Sequence, residues 1–315
     1  MVKRQPKKRK HEQCKENVSP QKKKMNREEV KLVEKDWMPA AAVEFFKSEK
    51  FENLEKIMKI ADKNMSFIGP FRVLREGSEV NGVELIMTDR DETDLPEMQT
   101  FLKCSHGKFS FWRDTPSEKN PVIVFSDIQG IPVVTVVGNT VEHAIYGFCN
   151  KISKLQDNSK EVKSAIAEIL GLLGAQKMEK EANQVMKKRK KETIMGVLGP
   201  GPGLLVGDFP NTKKSRYRVV SEESNIENLL RCLSNTGKQH QNTVIGEIDA
   251  LMNDVMMYND EGFYGNGLEL GHVLFLSNQK SITNQVLLVL TTAYNLYGRT
   301  DFVKILELSM ELRDH

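Results

Sequence analysis

Two adjacent carboxylates, Asp260 and Glu261, follow Asn259 where a helical pattern stops, and a glycine-rich run, Gly265-Asn266-Gly267-Leu268-Glu269-Leu270-Gly271, opens soon after. Neighbouring acids in a turn hinder each other's ionisation, and a helix C-terminus adds negative potential of its own. A carboxyl in such a place can act as a general base near neutral pH. A hydroxyl nucleophile needs such a base, because an alcohol reacts poorly at its own pKa. Taken alone, two acids in a turn are just as much an ordinary solvated helix end.

The elements that must position this pair are legible around it. Val244, Ile248, Leu251, Met252, Val255 and Met256 form one apolar stripe and predict a helix ending near Tyr258. A shorter helix over 226–234 is expected before it, capped by Ser224 or Asn225. Helices over 268–276, 286–296 and 302–312 are expected after it, with Ser281 and Thr300 as N-caps. Tyr264, Gly265 and Gly267 read as residues that set the shape of the turn, glycine permitting positive φ.

The upstream half alternates differently. Pro39 opens a helix carrying Val43, Phe45 and Phe46, and a second helix is expected over 51–61. Residues 67–74, around Gly69-Pro70, read as strand, turn and strand; further strands are expected over 82–87, 108–113, 122–125 and 133–137. Asn139-Thr140 caps a helix over 141–155. Residues 159–191 are helix-prone and end in Lys187-Lys188-Arg189-Lys190-Lys191, a run that could meet phosphate but reads first as a solvated connector. Gly199-Pro200-Gly201-Pro202-Gly203 lacks the GK[ST] ending of a phosphate-binding loop and reads as a loop between two short strands.

The fold class is therefore α+β with two domains. A disordered basic tail spans 1–30 and a helix-plus-antiparallel-sheet domain spans 31–158. A helical connector follows over 159–193, then a mainly helical domain over 194–315 that carries the acid turn.

The formal charge of +3 conceals an asymmetry: residues 1–27 carry eleven Lys and Arg against two acids, which leaves −6 on the remainder. The chain is thus a basic tail on an acidic body, unlike a uniformly basic nucleic-acid-binding domain. Lys7-Lys8-Arg9-Lys10 and Lys22-Lys23-Lys24 form a bipartite nuclear-localisation pattern. Cys14, Cys104, Cys149 and Cys232 are dispersed, which suits a reducing compartment, and no His or Cys spacing fits a metal site. No apolar run approaches a membrane span, so no membrane association is expected.

In order, these segments resemble the histone poly(ADP-ribosyl)ation factor family. The resemblance rests on Asn259-Asp260-Glu261, Tyr264-Gly265, Gly267-Leu268-Glu269-Leu270-Gly271, Leu274-Phe275 and Ala293-Tyr294-Asn295-Leu296. Upstream it is joined by Gly69-Pro70-Phe71, Phe111-Trp112-Arg113-Asp114-Thr115-Pro116 and Tyr217-Arg218. The resemblance implies an accessory factor that docks on the catalytic domain of a DNA-break-activated poly(ADP-ribose) polymerase and completes its active site. Glu261 would deprotonate an acceptor serine, so that ADP-ribose passes from NAD⁺ to serine, on histones among other acceptors. Asp260 would shape the turn and contact the transferase, and Arg218 would lie near the joint site. NAD⁺ would be bound by the transferase, with no cofactor held by this chain alone. A nuclear monomer, chromosome-associated at DNA damage, is implied, touching DNA only indirectly or weakly through the tail. Gly262-Phe263 and Asn284 depart from the vertebrate pattern, which implies a divergent, invertebrate member.

Two other function classes stand beside this one. A self-contained hydrolase would use Asp260 and Glu261 as its carboxylate pair, although sequence neighbours rarely flank one scissile bond. A chromatin tether would act through the basic tail, with affinity falling steeply with salt.

Overall fold

A computed structural model describes residues 38–77, 82–128, 130–154, 159–194, 202–205, 225–235 and 237–314. The tail, with Lys7, Lys8, Arg9, Lys10, Lys22, Lys23 and Lys24, lies outside the described residues, as do Tyr217 and Arg218.

The centre is a five-stranded antiparallel meander in sequential order. Its strands are β1 (Ser66–Phe67), β2 (Met98–Cys104), β3 (Gly107–Trp112), β4 (Val122–Asp127) and β5 (Val134–Gly138). Side chains alternate across it, as a pleated strand requires. Phe109, Phe111, Ile123 and Phe125 enter one core, while Trp112, Val124, Val134 and Val136 enter the other. A bulge between Thr100 and Leu102 places Phe101 and Leu102 in the same core.

Against the first face pack α1 (Ala40–Phe46), α2 (Glu49–Ala61), α3 (Pro70–Glu76), α5 (Val141–Ser153) and α6 (Lys160–Leu173). Phenylalanines dominate this side; Phe46 and Phe71 lie 4.6 Å apart and Phe51 and Phe67 4.8 Å, edge to face. Thr140 caps α5 by accepting from the His143 N–H at 3.3 Å, and Ser159 caps α6 through Val162. Gly174 closes α6 in the left-handed region, and α7 (Ala175–Glu192) follows. The short strands β6 (Thr193–Ile194) and β7 (Leu204–Leu205) pair antiparallel, while Gly199, Pro200 and Gly201 lie outside the described residues.

On the opposite face lie α8 (Asn225–Asn235), α9 (Lys238–Asp260), α10 (Gly265–Leu276), α11 (Thr283–Leu296) and α12 (Thr300–Asp314). Their apolar residues join Met98, Trp112, Val124 and Val134 in one continuous cluster, so the C-terminal helices share a core with the sheet.

The α+β class holds, but several local expectations do not. Residues 67–74 are not two strands: Gly69 at φ +63° ends β1, and Pro70 starts α3 with its φ already helical. Residues 82–87 form a helix, α4 (Gly82–Met87), because β2 fills the sheet position beside β1 and β3; a six-residue apolar run suits either state. β2 itself carries no clean alternation, since Gln99 and Thr100 serve buried polar contacts and Lys103 a half-buried one. Gln99 accepts from Arg113 at 3.1 Å, Thr100 donates to Asp94 at 2.9 Å and Lys103 meets Asp91 at 2.8 Å. Ser281 does not cap α11; it sits inside a single 3₁₀ turn, Lys280–Ile282, and Thr300 is already the first residue of α12.

Candidate functional site

α9 delivers the acid pair. Val244, Ile248, Met252 and Val255 are buried along its inner face and fix where its last turn falls. The helix ends in a Schellman closure: the Phe263 N–H donates to the Tyr258 carbonyl at 2.9 Å, and the Gly262 N–H donates to the Asn259 carbonyl at 3.0 Å. Glu261 is the C-cap at φ −84°, and Gly262 follows at φ +89°. A side chain at that φ would be strained, so the glycine after Glu261 has a backbone reason.

Asp260 and Glu261 are exposed, and among the described residues no side chain pairs with either carboxylate. No Lys or Arg occurs between Lys238 and Lys280, while Glu247, Asp249 and Asp254 lie on the same helix. The end of α9 is thus a region of negative potential, deepened by the partial charge of the helix C-terminus. Chemically, it offers unspent carboxylates on a backbone held by hydrogen bonds, able to accept a proton or attract a cationic group brought to it.

Tyr264 is the N-cap of α10, and its ring meets Tyr297 edge-on at 5.6 Å. Gly265 and Gly267 do not shape the turn through positive φ; both are buried in α10. For Gly267, as for Gly271 further along, the role is close approach. A Cβ on Gly267 would lie 3.1 Å from the Ala293 Cβ, and one on Gly271 would lie 2.4 Å from Leu290 Cδ2. The GxGLELG run therefore lets α10 press against α11, which holds the acid turn from behind. Asn259 folds beneath the same helix start, its Oδ1 3.8 Å from that Gly267 position. Glu269 is buried within α10.

A buried polar link ties these helices to the sheet. Glu97, just before β2, faces His272 Nε2 on α10 at 3.0 Å and accepts from the Tyr294 hydroxyl on α11 at 2.8 Å. Burial alone would push the Glu97 carboxyl up, but the His272 charge and the hydrogen bonds from His272 and Tyr294 outweigh it and hold the group below its ordinary value. Burial and the Glu97 charge push the Tyr294 phenol well above its usual range. Arg90 donates to the carbonyls of Met98 and Asp94 and to Ser309 on α12, and Arg313 donates to the carbonyls of Glu92 and Phe275. None of this long-range pairing is readable from spacing. The one hint was that His272, Tyr294 and Arg313 interrupt apolar faces.

The Phe111-Trp112-Arg113-Asp114 motif is structural in the same sense. Trp112 stands edge-on to His272 at 5.8 Å, Arg113 is fully buried, and Asp114 holds Arg189 of α7 through two contacts of 2.5 and 2.6 Å. Gly262 and Tyr297 were not among the residues picked from sequence as site residues. A glycine directly after a helical pattern was the available signal for the first; nothing local marked the second.

The family model described as Histone PARylation factor 1 matches residues 20–313. Two relatives of that name are similar to this chain. The protein from Mus musculus is 24% identical over 258 residues, covering 77% of this chain and 73% of its own length. The protein from Bos taurus is 22% identical over 273 residues, covering 78% and 74%. With nearly the whole described structure inside the matched span, and the acid turn and its supporting helices within it, the chain belongs to the histone PARylation factor 1 family as a divergent member.

Proposed function

We propose that this chain docks on the catalytic domain of a poly(ADP-ribose) polymerase and lends it Glu261 as a general base for ADP-ribosylation of serine, histone serines included. The observation that carries the reading is the exposed Glu261 carboxylate, unpaired among the described residues, on a hydrogen-bonded helix end. The names of the two relatives fit a factor acting in histone modification.

The chemistry follows from the acceptor. As the bond between ribose and nicotinamide breaks, the ribose carbon becomes cationic and the serine oxygen bonds to it; the hydroxyl proton passes to Glu261. An acidic acceptor is already ionised and needs no base. Supplying one therefore changes which residue is modified, and general-base catalysis is typically worth about 10²–10⁴-fold. Asp260 is assigned to docking and to the negative potential of the turn, and Arg218 to fixing the carboxylates in the joint site. NAD⁺ belongs to the transferase. The two basic clusters of the tail carry the chain into the nucleus.

The test is a mass-spectrometric count of modified serine and acidic residues, made with the transferase, activating DNA, NAD⁺ and this chain. Serine modification that depends on Glu261 supports the reading. Serine modification undiminished by Glu261→Ala refutes it, and NAD⁺ turnover by this chain without any transferase favours a self-contained hydrolase.

A further inference from the structure

The basic run at the end of α7 has a use that the acid turn does not absorb. α7 carries seven cationic residues against three glutamates, on a body that is otherwise acidic. Arg189 does not belong to its surface: it is buried, donates to the Pro202 carbonyl at 2.6 Å and is clamped by Asp114. With Met178 and Ala182 it marks the inward face. Lys187 and Lys191 lie two residues to either side of Arg189, about 200° around a helix of 3.6 residues per turn. The internal clamp thereby turns them to solvent. Lys180 falls on the same outer face, and Lys190 on its edge.

Two of the three acids are engaged off this face, while the exposed Glu179 shares a shallow groove with Lys180 and Lys187. Glu181 lies 3.9 Å from His143 on α5 and 3.8 Å from Lys177, and Glu192 lies 3.8 Å from Lys188. Among the described residues Lys180, Lys187, Lys190 and Lys191 have no carboxylate partner. The helix dipole accounts for lysines in the last turn but not for Lys180, two turns earlier.

We infer that the outer face of α7 is a contact surface for the phosphate backbone of duplex DNA. Charge complementarity selects a polyanion. The absence of any aromatic residue in α7 selects a duplex over a single strand, since single strands are held by stacking on aromatic platforms. The reach is suitable: from Lys180 to Lys191 the helix rises about 16 Å, roughly five base pairs at 3.4 Å each.

The experiment measures binding of the full chain to a duplex of about 20 base pairs across a salt series. Three variants are compared with the wild type: Lys180, Lys187, Lys190 and Lys191 all changed to Gln, the same four changed to Arg, and the tail residues Lys7, Lys8, Arg9, Lys10, Lys22, Lys23 and Lys24 changed to Gln. The four-Gln variant should lower the slope of log K against log salt by about 3–4, at roughly 0.9 per phosphate contact, while the Arg variant keeps it. The same loss should appear on top of the tail variant. An unchanged slope in the four-Gln variant overturns the assignment, as does a loss that vanishes once the tail is neutralised. Equally tight, equally α7-dependent binding of a single-stranded oligonucleotide or of polyglutamate overturns the choice of duplex DNA.

Discussion

Glu261 stands on the last turn of α9 with its side chain in solvent, so its chemistry and its structural worth separate cleanly. Removing an exposed side chain with no partner among the described residues should change stability by no more than about 0.5 kcal/mol. The same removal should lower transferase-dependent serine modification by about 10²–10⁴-fold, the span of general-base catalysis. Glu261→Ala, and the isosteric Glu261→Gln, should therefore unfold at the wild-type denaturant midpoint yet fail in the serine assay; a variant active at wild-type rate would remove the base from the mechanism. Asp260→Ala should weaken capture of the transferase catalytic domain as well as activity, and an unchanged affinity in a titration would limit Asp260 to the turn. The acid pair was legible because two carboxylates stood where an apolar stripe stopped, but sequence could not give their exposure.

Turn and helix contact set the next scale. The Schellman closure after Glu261 uses Gly262 at φ +89°. Gly262→Ala should cost about 1 kcal/mol, seen as a lower midpoint in urea, and should reduce serine modification by loosening the C-cap. Gly271 acts through space: a Cβ there would collide with Leu290 at 2.4 Å. Gly271→Val should destabilise by about 1–3 kcal/mol through overpacking, and Leu290→Ala in the same chain should restore part of the loss. Additive losses in that double variant would mean the helices do not touch there. The helices α9 to α12 were legible from 3.6-residue spacing. Whether each glycine served φ or contact was not, because the distinction lies in a neighbouring helix that the local sequence does not name.

At the scale of the molecule, the sheet is covered on both faces, and the polar link at Glu97 joins the C-terminal helices to it. Glu97 and Asp91 are both held below the ordinary carboxylate range: for Asp91 burial acts upward and is outweighed by Lys108 and Lys103. Carboxyls depressed in the folded state take up protons on unfolding, so stability rises with pH through this window. Stability should be fully present above about pH 4–5 and lost as pH falls through the folded-state values. Glu97→Gln should flatten that acid limb and cost about 1–3 kcal/mol near neutrality, since it weakens the buried hydrogen bonds from His272 and Tyr294. Urea unfolding of both proteins across the acid range reads both effects, and an acid limb of unchanged steepness would remove Glu97 from the link.

The amino-acid sequence alone determined the α+β class, most helices, the hairpins around 108–137, the charge asymmetry and the acid turn with its family. These are written in local periodicity, capping residues and adjacent motif positions. The tertiary structure alone decided that 82–87 is a helix and 98–104 a strand, because a sheet has a limited number of places and β2 spends its polar residues on partners elsewhere in the chain. It also decided that Asp114 clamps Arg189, turning neighbouring lysines outward, and that Glu97 meets His272 and Tyr294 across more than half the chain. Such pairings are set by packing between distant segments, and no spacing along the chain encodes them.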